Sequence, residues 1–155
     1  MAPRHAARVV MLDASDAVLL LAGRDPGCAA SSIFWFVPGG GCDPGETTEE
    51  AARREALEEV GAMLGALGPV VWHRRTRFEF DGVQYDQAEY FYLVRVERFA
   101  PCPTGLTALE RRAVLEARWW PLAELATATG EGTLTVYPPN LAELVRGWLA
   151  HAGRP

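Results

Sequence analysis

Residues 40–62, GGCDPGETTEEAARREALEEVGA, join a glycine-rich turn to a clearly delimited helix. The helix begins after Thr47, whose side chain can cap the first turn, and Glu50 three residues later completes a capping box. Residues 51–59 are mostly strong helix formers. Gly61 is a suitable end, because glycine readily adopts the left-handed conformation found just past many helices. The sequence therefore predicts a helix between Thr47 and Gly61.

Three glutamates of this helix, Glu55, Glu58 and Glu59, fall on one face, because successive helical residues are about 100° apart. This arrangement is unfavourable by itself. Glu55 and Glu59 form a like-charge pair one turn apart, and Glu58 and Glu59 lie at the negative end of the helix dipole. A divalent cation would remove both penalties, and oxygen ligands without His or Cys suit Mg²⁺ or Mn²⁺ rather than Zn²⁺. The alternative interpretation is an acidic, solvated helix face.

The same stretch matches the pattern G-x5-E-x7-R-E-U-x-E-E-x-G-U, in which U is an aliphatic residue, and it thereby resembles the Nudix hydrolase family. The matching residues are Gly40, Glu46, Arg54, Glu55, Ala56, Glu58, Glu59, Gly61 and Ala62. Both U positions are alanine, smaller than the aliphatic residues usual there. The resemblance extends to WFVPGG at residues 35–40 and to RWWPL at residues 118–122.

The resemblance implies roles for several motif residues. Three glutamates would bind metal or serve as the general base, and the identity of the base stays open: Glu55, Glu58 and Glu59. The backbone carbonyl of Gly39 would be a further metal ligand. Glu46 and Arg54 would pair and brace the loop against the helix, which makes both part of the catalytic group. Gly39 and Gly40 would also contact substrate, because no side chain obstructs the backbone there.

A metal ligand from outside the motif is common in this family, and three glutamates qualify. Glu89 begins an apolar strand. Glu110 is equally the capping-box partner of Thr107. Glu116 lies just before the RWW segment, and it is slightly favoured over the other two. An ordinary surface glutamate is an equally good interpretation of each.

Aromatic residues along the predicted strands are candidates for stacking on a nucleobase. The candidates are Trp35, Trp72, Phe78, Tyr85, Tyr90 and Tyr92. Of these, Trp35 and Tyr90 are taken as substrate-binding residues, and packing within the core or on the sheet is the alternative for every one.

The remaining patterns predict an α/β (α+β) fold, a single domain over residues 1–155. Strands are expected at residues 8–12, 18–22, 33–37, 70–80, 83–85, 88–96 and 118–120, and helices at 107–115 and about 141–149. The first two strands would form a hairpin, and Asp86-Gln87 would interrupt the strand that follows the turn at residues 81–82. Strands with a central and a C-terminal helix fit the α/β/α sandwich with a mixed β-sheet found in the Nudix family.

Net charge, cysteine number and the lengths of apolar segments indicate which binding partners and which cellular compartment to expect. A net charge of −5 makes a nucleic-acid surface unlikely, and RNA decapping is therefore disfavoured. The three cysteines are scattered, which argues against a disulfide framework or a zinc site. No segment reaches the roughly 20 apolar residues of a membrane helix, and the start of the chain lacks a signal peptide's apolar stretch. We expect a cytoplasmic protein without membrane contact, and a homodimer is left open.

The resemblance implies a Mg²⁺-dependent pyrophosphohydrolase, with Mn²⁺ as an alternative cofactor. It would cleave the phosphoanhydride bond of a nucleoside diphosphate linked to another moiety X, by attack of metal-activated water on phosphorus. Its partner would be a small-molecule nucleotide whose identity stays open. The alternative is a regulatory Nudix domain that binds a nucleotide ligand without catalysis.

Overall fold

A mixed sheet of eight strands carries the fold in the computed structural model, which describes residues 2–152. The strands are β1 Arg4–Leu12, β2 Ala17–Gly23, β3 Phe34–Phe36, β4 Gly39–Gly41, β5 Trp72–Phe80, β6 Val83–Arg95, β7 Val114–Pro121 and β8 Val136–Tyr137. Their main order is β5-β6-β1-β2-β3-β8, while β4 pairs with β1 and β7 pairs with β2. The expected mixed sheet with flanking helices is confirmed.

Within the described part of the chain, four helices accompany the sheet: α1 Thr48–Val60, α2 Ala108–Ala113, α3 Leu122–Gly130 and α4 Leu141–Ala152. α1 has both predicted ends. The Thr47 side chain and Glu50 form the capping box, and Gly61 ends the helix in the left-handed conformation at φ 76°. Within residues 2–152, no helix combines the length and apolar character needed to cross a membrane.

Two hydrophobic cores lie on opposite faces of the sheet, because alternate residues of a strand point to opposite sides. On β1, Val10 and Leu12 join the core beneath α3 and α4, whereas Val9 and Met11 join the core beneath α1. All seven residues of β2 are buried, as expected for a central strand covered on both faces.

The predicted hairpin of the first two strands is confirmed only at its turn. β1 and β2 pair only beside their turn, at Leu12 and Val18, and then diverge. From there β1 pairs with β4 along one edge and in parallel with β6 along the other, while β2 pairs with β7. β1 thereby extends back to Arg4, four residues earlier than predicted, because Arg4 pairs with Gln87 of β6.

β6 continues through Asp86 and Gln87, where an interruption was predicted. Gln87 is fully buried, and its amide oxygen accepts from Arg4 while its amide nitrogen donates to Glu89 at 2.9 Å. Asp86 accepts two hydrogen bonds from Arg75 of the neighbouring strand. Both polar side chains have partners, so neither breaks the strand.

The turn between β1 and β2 depends on the carboxylate of Asp13. One oxygen accepts hydrogen bonds from the Ser15 backbone at 2.9 Å, the Ser15 hydroxyl at 2.8 Å and the Ala17 backbone at 2.9 Å. The other accepts from Arg98 at 2.7 Å. Burial by itself would raise the pKa of Asp13, but these hydrogen bonds lower it to about 2.

We predict that Asp13→Asn lowers the free energy of unfolding at pH 7 by about 2 kcal/mol, as expected from this pKa shift. Because the folded pKa is depressed, the contribution is complete above the unfolded value of 3.8 and is lost as the pH falls through about 2. Urea unfolding of both proteins between pH 7 and pH 2 measures the difference.

Asp16→Asn is the matched control, because the Asp16 side chain is 45% exposed and its ion pair with the half-exposed Arg95 contributes little. A loss in Asp13→Asn that stays constant across the whole pH range would contradict this account of the turn.

Candidate active site

Small side chains bring α1 close to the glycine-rich strand β4. Ala51, Ala52 and Ala56 are fully buried on the face of α1 that packs against the sheet. The approach is so close that a Cβ on Gly40 would lie 2.6 Å from a carboxylate oxygen of Glu55. The alanine at the first aliphatic motif position, Ala56, therefore suits this helix and sheet.

Gly39 is the tightest backbone contact of the site. Its φ is 152°, and a Cβ there would lie 2.0 Å from the carbonyl oxygen of Ala7 on β1. Only glycine fits such a contact. The Gly39 N–H donates to a carboxylate oxygen of Glu59 at 2.7 Å, so the loop is attached directly to the helix.

Glu55, Glu59 and Glu110 bring carboxylate oxygens within 4.8 Å of one another. Glu55 and Glu59 come from one face of α1, as predicted. Glu110 comes from the first turn of α2, where it is also the capping-box partner of Thr107. Sequence reasoning considered both roles for Glu110 as alternatives, but the structure places one side chain where it can serve in both.

The other carboxylates that the sequence singled out have different surroundings. Glu58 is half-buried and lies 3.2 Å from the guanidinium of Arg54. Glu116, the favoured candidate from outside the motif, is exposed on β7 and does not join the three-carboxylate cluster. Glu89 is buried and held by Arg8 and Arg74 at 2.8 and 2.7 Å.

The three-carboxylate cluster concentrates negative charge where Glu55 and Glu59 are buried. Burial is the main cause that raises the pKa of Glu59 well above its usual value, and the charge of Glu55 adds to the effect. Burial also raises the pKa of Glu55, although Arg54 opposes the rise. Converging carboxylates with unfavourable charge are the donor set that a hard divalent cation such as Mg²⁺ or Mn²⁺ accepts. The residues present therefore fit such an ion.

Arg54 joins the loop to the helix in the way the resemblance implied. Its guanidinium donates to both carboxylate oxygens of Glu46 at 2.8 and 2.9 Å. It also donates to the carbonyl of Gly41 at 3.0 Å and to Glu55 at 2.9 Å. An arginine that donates two hydrogen bonds to one carboxylate fixes its orientation as well as its distance, so Arg54 holds the glycine loop against the acidic face of α1.

The structure places Trp35 away from the carboxylates. Its ring is 8% exposed and packs edge-on against Trp120 in the core beneath α3 and α4, with ring centres 5.1 Å apart. Tyr90 is half-buried on the opposite face of the sheet, between His5 and His73. Trp35 thus offers little surface to a substrate, because the core already covers it.

Another aromatic pair lies nearer the glycine loop. Phe78 and Tyr85 stack with ring centres 5.1 Å apart and an interplanar angle of 15°. The guanidinium of Arg4 lies 4.8 Å from the centre of the Tyr85 ring, and it also borders Gly41, where a Cβ would lie 3.2 Å from it. Sequence reasoning named both aromatic residues as candidates but missed Arg4.

Arg8 is a second residue that sequence reasoning missed. It lies within the apolar run of β1 and reaches the carbonyl oxygen of Gly39 at 3.1 Å. An arginine at an inward-facing position of an otherwise apolar strand was the available signal, since such a charge must find partners when buried.

Comparison with known proteins agrees with this geometry. The family model described as NUDIX domain matches residues 2–138. A putative 8-oxo-dGTP diphosphatase from Bacillus subtilis (strain 168) is 37% identical over 71 residues, which cover 46% of this chain and 44% of that protein. The chain spans less than half the length of the curated relatives it matches, namely 44%, 43% and 35%.

Two solved structures share the fold at low sequence identity. The MutT protein from Methanosarcina mazei Go1 has a TM-score of 0.66 and 16% identity, with 97% of this chain and 96% of that chain covered. The NUDIX domain of Shewanella oneidensis NrtR, complexed with ADP ribose, has a TM-score of 0.67 and 19% identity, with 96% and 90% covered.

The contact between Gly39 and β1 yields a stability prediction. Gly39→Ala should lower the free energy of unfolding by about 3 kcal/mol or more, because it combines a steric clash with an unfavourable φ. Gly45→Ala is the matched control. Its φ of 80° is also positive, but nothing lies within 4 Å of the added Cβ, so it should cost only about 1 kcal/mol.

Urea unfolding followed by circular dichroism measures both variants. Equal losses in Gly39→Ala and Gly45→Ala would show that the backbone conformation alone, and not the contact with Ala7, makes glycine necessary at position 39.

Proposed function

The chain belongs to the Nudix family, and from this membership and its carboxylate cluster we propose that it is a divalent-cation-dependent pyrophosphohydrolase. It would cleave the phosphoanhydride bond of a nucleoside diphosphate linked to another moiety X. The observation that carries this proposal is the convergence of Glu55, Glu59 and Glu110 within 4.8 Å, directly beside the glycine loop.

Mg²⁺ is the proposed ion, and Mn²⁺ would serve in its place. Glu55, Glu59 and Glu110 would hold it, with Glu58 and the carbonyl oxygen of Gly39 as further ligands. When bound, such an ion neutralises phosphate oxygens and lowers the pKa of a water molecule. A glutamate of the cluster would accept the proton of the attacking water, and the identity of that glutamate stays open.

Arg54 and Glu46 would act by holding the loop. Their two-pronged contact keeps Gly41 and Glu55 in a fixed relation, because Arg54 also donates to both of these residues. A preorganised site of this kind loses little entropy when substrate binds.

A nucleoside triphosphate is the first substrate class to examine. The name of the Bacillus subtilis relative, a putative 8-oxo-dGTP diphosphatase, points in that direction. The guanidinium of Arg4 beside Gly41, with the Tyr85 ring 4.8 Å from it, supports this direction, since a cation can bind phosphate and an aromatic ring can stack on a nucleobase. The regulatory alternative is less favoured, because every carboxylate of the motif is present.

We predict that Glu59→Gln and Glu58→Gln lower turnover by about two to four orders of magnitude, as expected when a ligand or base is lost. The assay incubates the protein with nucleoside triphosphates, nucleotide sugars, ADP-ribose and dinucleoside polyphosphates, with Mg²⁺ or Mn²⁺. Ion-exchange chromatography then separates the nucleoside monophosphate that the reaction should release.

Activity should disappear with EDTA and return with added Mg²⁺. Undiminished turnover in Glu59→Gln would refute the assignment of the cluster as the catalytic site. A folded wild-type protein that binds Mn²⁺ but cleaves nothing in the panel would favour the regulatory alternative.

A second pair of variants identifies the ligand from outside the motif. Glu110→Gln should lower turnover at least about tenfold, because the loss of even an outer partner of a metal site commonly costs that much. Glu116→Gln should leave turnover close to that of wild type, since Glu116 is exposed on β7. Steady-state rates of both variants at saturating Mg²⁺ show which of the two glutamates is the ligand. A large loss in Glu116→Gln with little change in Glu110→Gln would identify Glu116 instead.

A further inference from the structure

Arg8 connects the backbone of the glycine loop to a buried polar network on the sheet. It stands opposite Gly39 where β1 pairs with β4. Its Nε donates to Glu89 at 2.8 Å, and its Nη1 donates to the carbonyl oxygens of Val37 at 3.2 Å and Gly39 at 3.1 Å. The planar guanidinium therefore joins one carboxylate and two loop carbonyls in fixed geometry.

Glu89 anchors the other end of this connection. The residue is 2% exposed and accepts hydrogen bonds from Arg8, from Arg74 at 2.7 Å and from the amide of Gln87 at 2.9 Å. Burial alone would raise the pKa of Glu89, but the charges and hydrogen bonds of the two arginines hold it below its usual value. Glu89 is thus a charged and fully satisfied anchor at neutral pH.

Gly39 needs such a contact because glycine has more backbone freedom than any other residue. Its N–H is held by Glu59 at 2.7 Å, and its carbonyl is held by Arg8. A carbonyl oxygen has two lone pairs, so the hydrogen bond from Arg8 leaves one available. Without Arg8, the Gly39 carbonyl would lose its hydrogen bond to a side chain, and its orientation would depend on the pairing of β4 with β1.

The charge of Arg8 does not act alone on the site. A lone guanidinium would repel a cation, but Glu89 lies 2.8 Å from it and carries the opposite charge. Arg74 contacts the same carboxylate at 2.7 Å, so the three side chains together keep one net positive charge. We expect the orientation of the carbonyl to outweigh this repulsion, because the hydrogen bond from Arg8 acts directly on the oxygen atom that would bind the ion.

We propose that Arg8 is a positioning residue for the divalent cation, acting through the carbonyl oxygen of Gly39. The inference rests on the proposed function, because it assumes that a cation binds at the Glu55, Glu59 and Glu110 cluster. It adds a residue from β1, outside the motif, to the machinery that prepares the metal site.

The test measures Mn²⁺ affinity without any substrate, by counting free Mn²⁺ through its electron paramagnetic resonance signal. Arg8→Met should weaken binding about tenfold, the size expected for the loss of an outer partner of a metal ligand. Arg74→Met is the matched control. It removes the other arginine from Glu89, and within the described residues Arg74 makes no hydrogen bond to the glycine loop, so its affinity should stay within about twofold of wild type.

Three results would overturn the inference. Arg8→Met could bind Mn²⁺ as tightly as wild type, or more tightly, in which case repulsion outweighs positioning. Equal weakening in Arg8→Met and Arg74→Met would assign the effect to Glu89 instead. A folded wild-type protein that binds no Mn²⁺ would refute both this inference and the proposed function. The first two results would refute the inference alone, so the two failures are distinguishable.

Arg8→Lys keeps the test decisive if Arg8→Met does not fold, as judged by circular dichroism. Lysine retains the charge beside Glu89 but lacks the fork that reaches the carboxylate and the carbonyl together. Its Mn²⁺ affinity should fall severalfold below that of wild type. Wild-type affinity in Arg8→Lys would show that charge alone suffices and would overturn the positioning role.

Discussion

The contact of Gly39 with β1 is the constraint on which the rest of the site depends. The backbone at Gly39 lies so close to the carbonyl of Ala7 that no side chain fits between them. This closeness places the Gly39 N–H within reach of Glu59 on one side and the Gly39 carbonyl within reach of Arg8 on the other. A larger residue would push β4 away from β1 and loosen both hydrogen bonds together.

The carboxylate cluster illustrates how a fold tolerates an arrangement that does not favour its own stability. Like charges meet on α1 and near the negative end of its dipole, which costs free energy. Arg54 offsets part of this cost by donating to Glu55 and Glu46, while the buried alanines of α1 supply close packing against the sheet. Burial and the charge of Glu55 still raise the pKa of Glu59 well above its usual value.

Local features of the fold were predictable because their causes lie within a few residues. The capping box of α1 joins positions three apart, and the left-handed end at Gly61 depends on glycine itself. The face shared by Glu55 and Glu59 follows from helical spacing. The prediction of an interruption at Asp86 and Gln87 was wrong, because Arg75 and Arg4, which satisfy these side chains, lie on other strands.

By itself, the sequence determined the boundaries of α1, the carboxylates of its polar face, the pairing of Glu46 with Arg54 through the family resemblance, and the class of the fold. Only the tertiary structure decided that β1 runs parallel to β6, that Glu110 rather than Glu116 completes the cluster, and that Arg8 reaches Gly39. Hydrophobic periodicity predicts which residues share one face of a helix or strand, but it does not predict which strands pair in the sheet. Contacts such as that of Arg8 with Glu89 join residues 81 positions apart, and they exist only once the chain has packed.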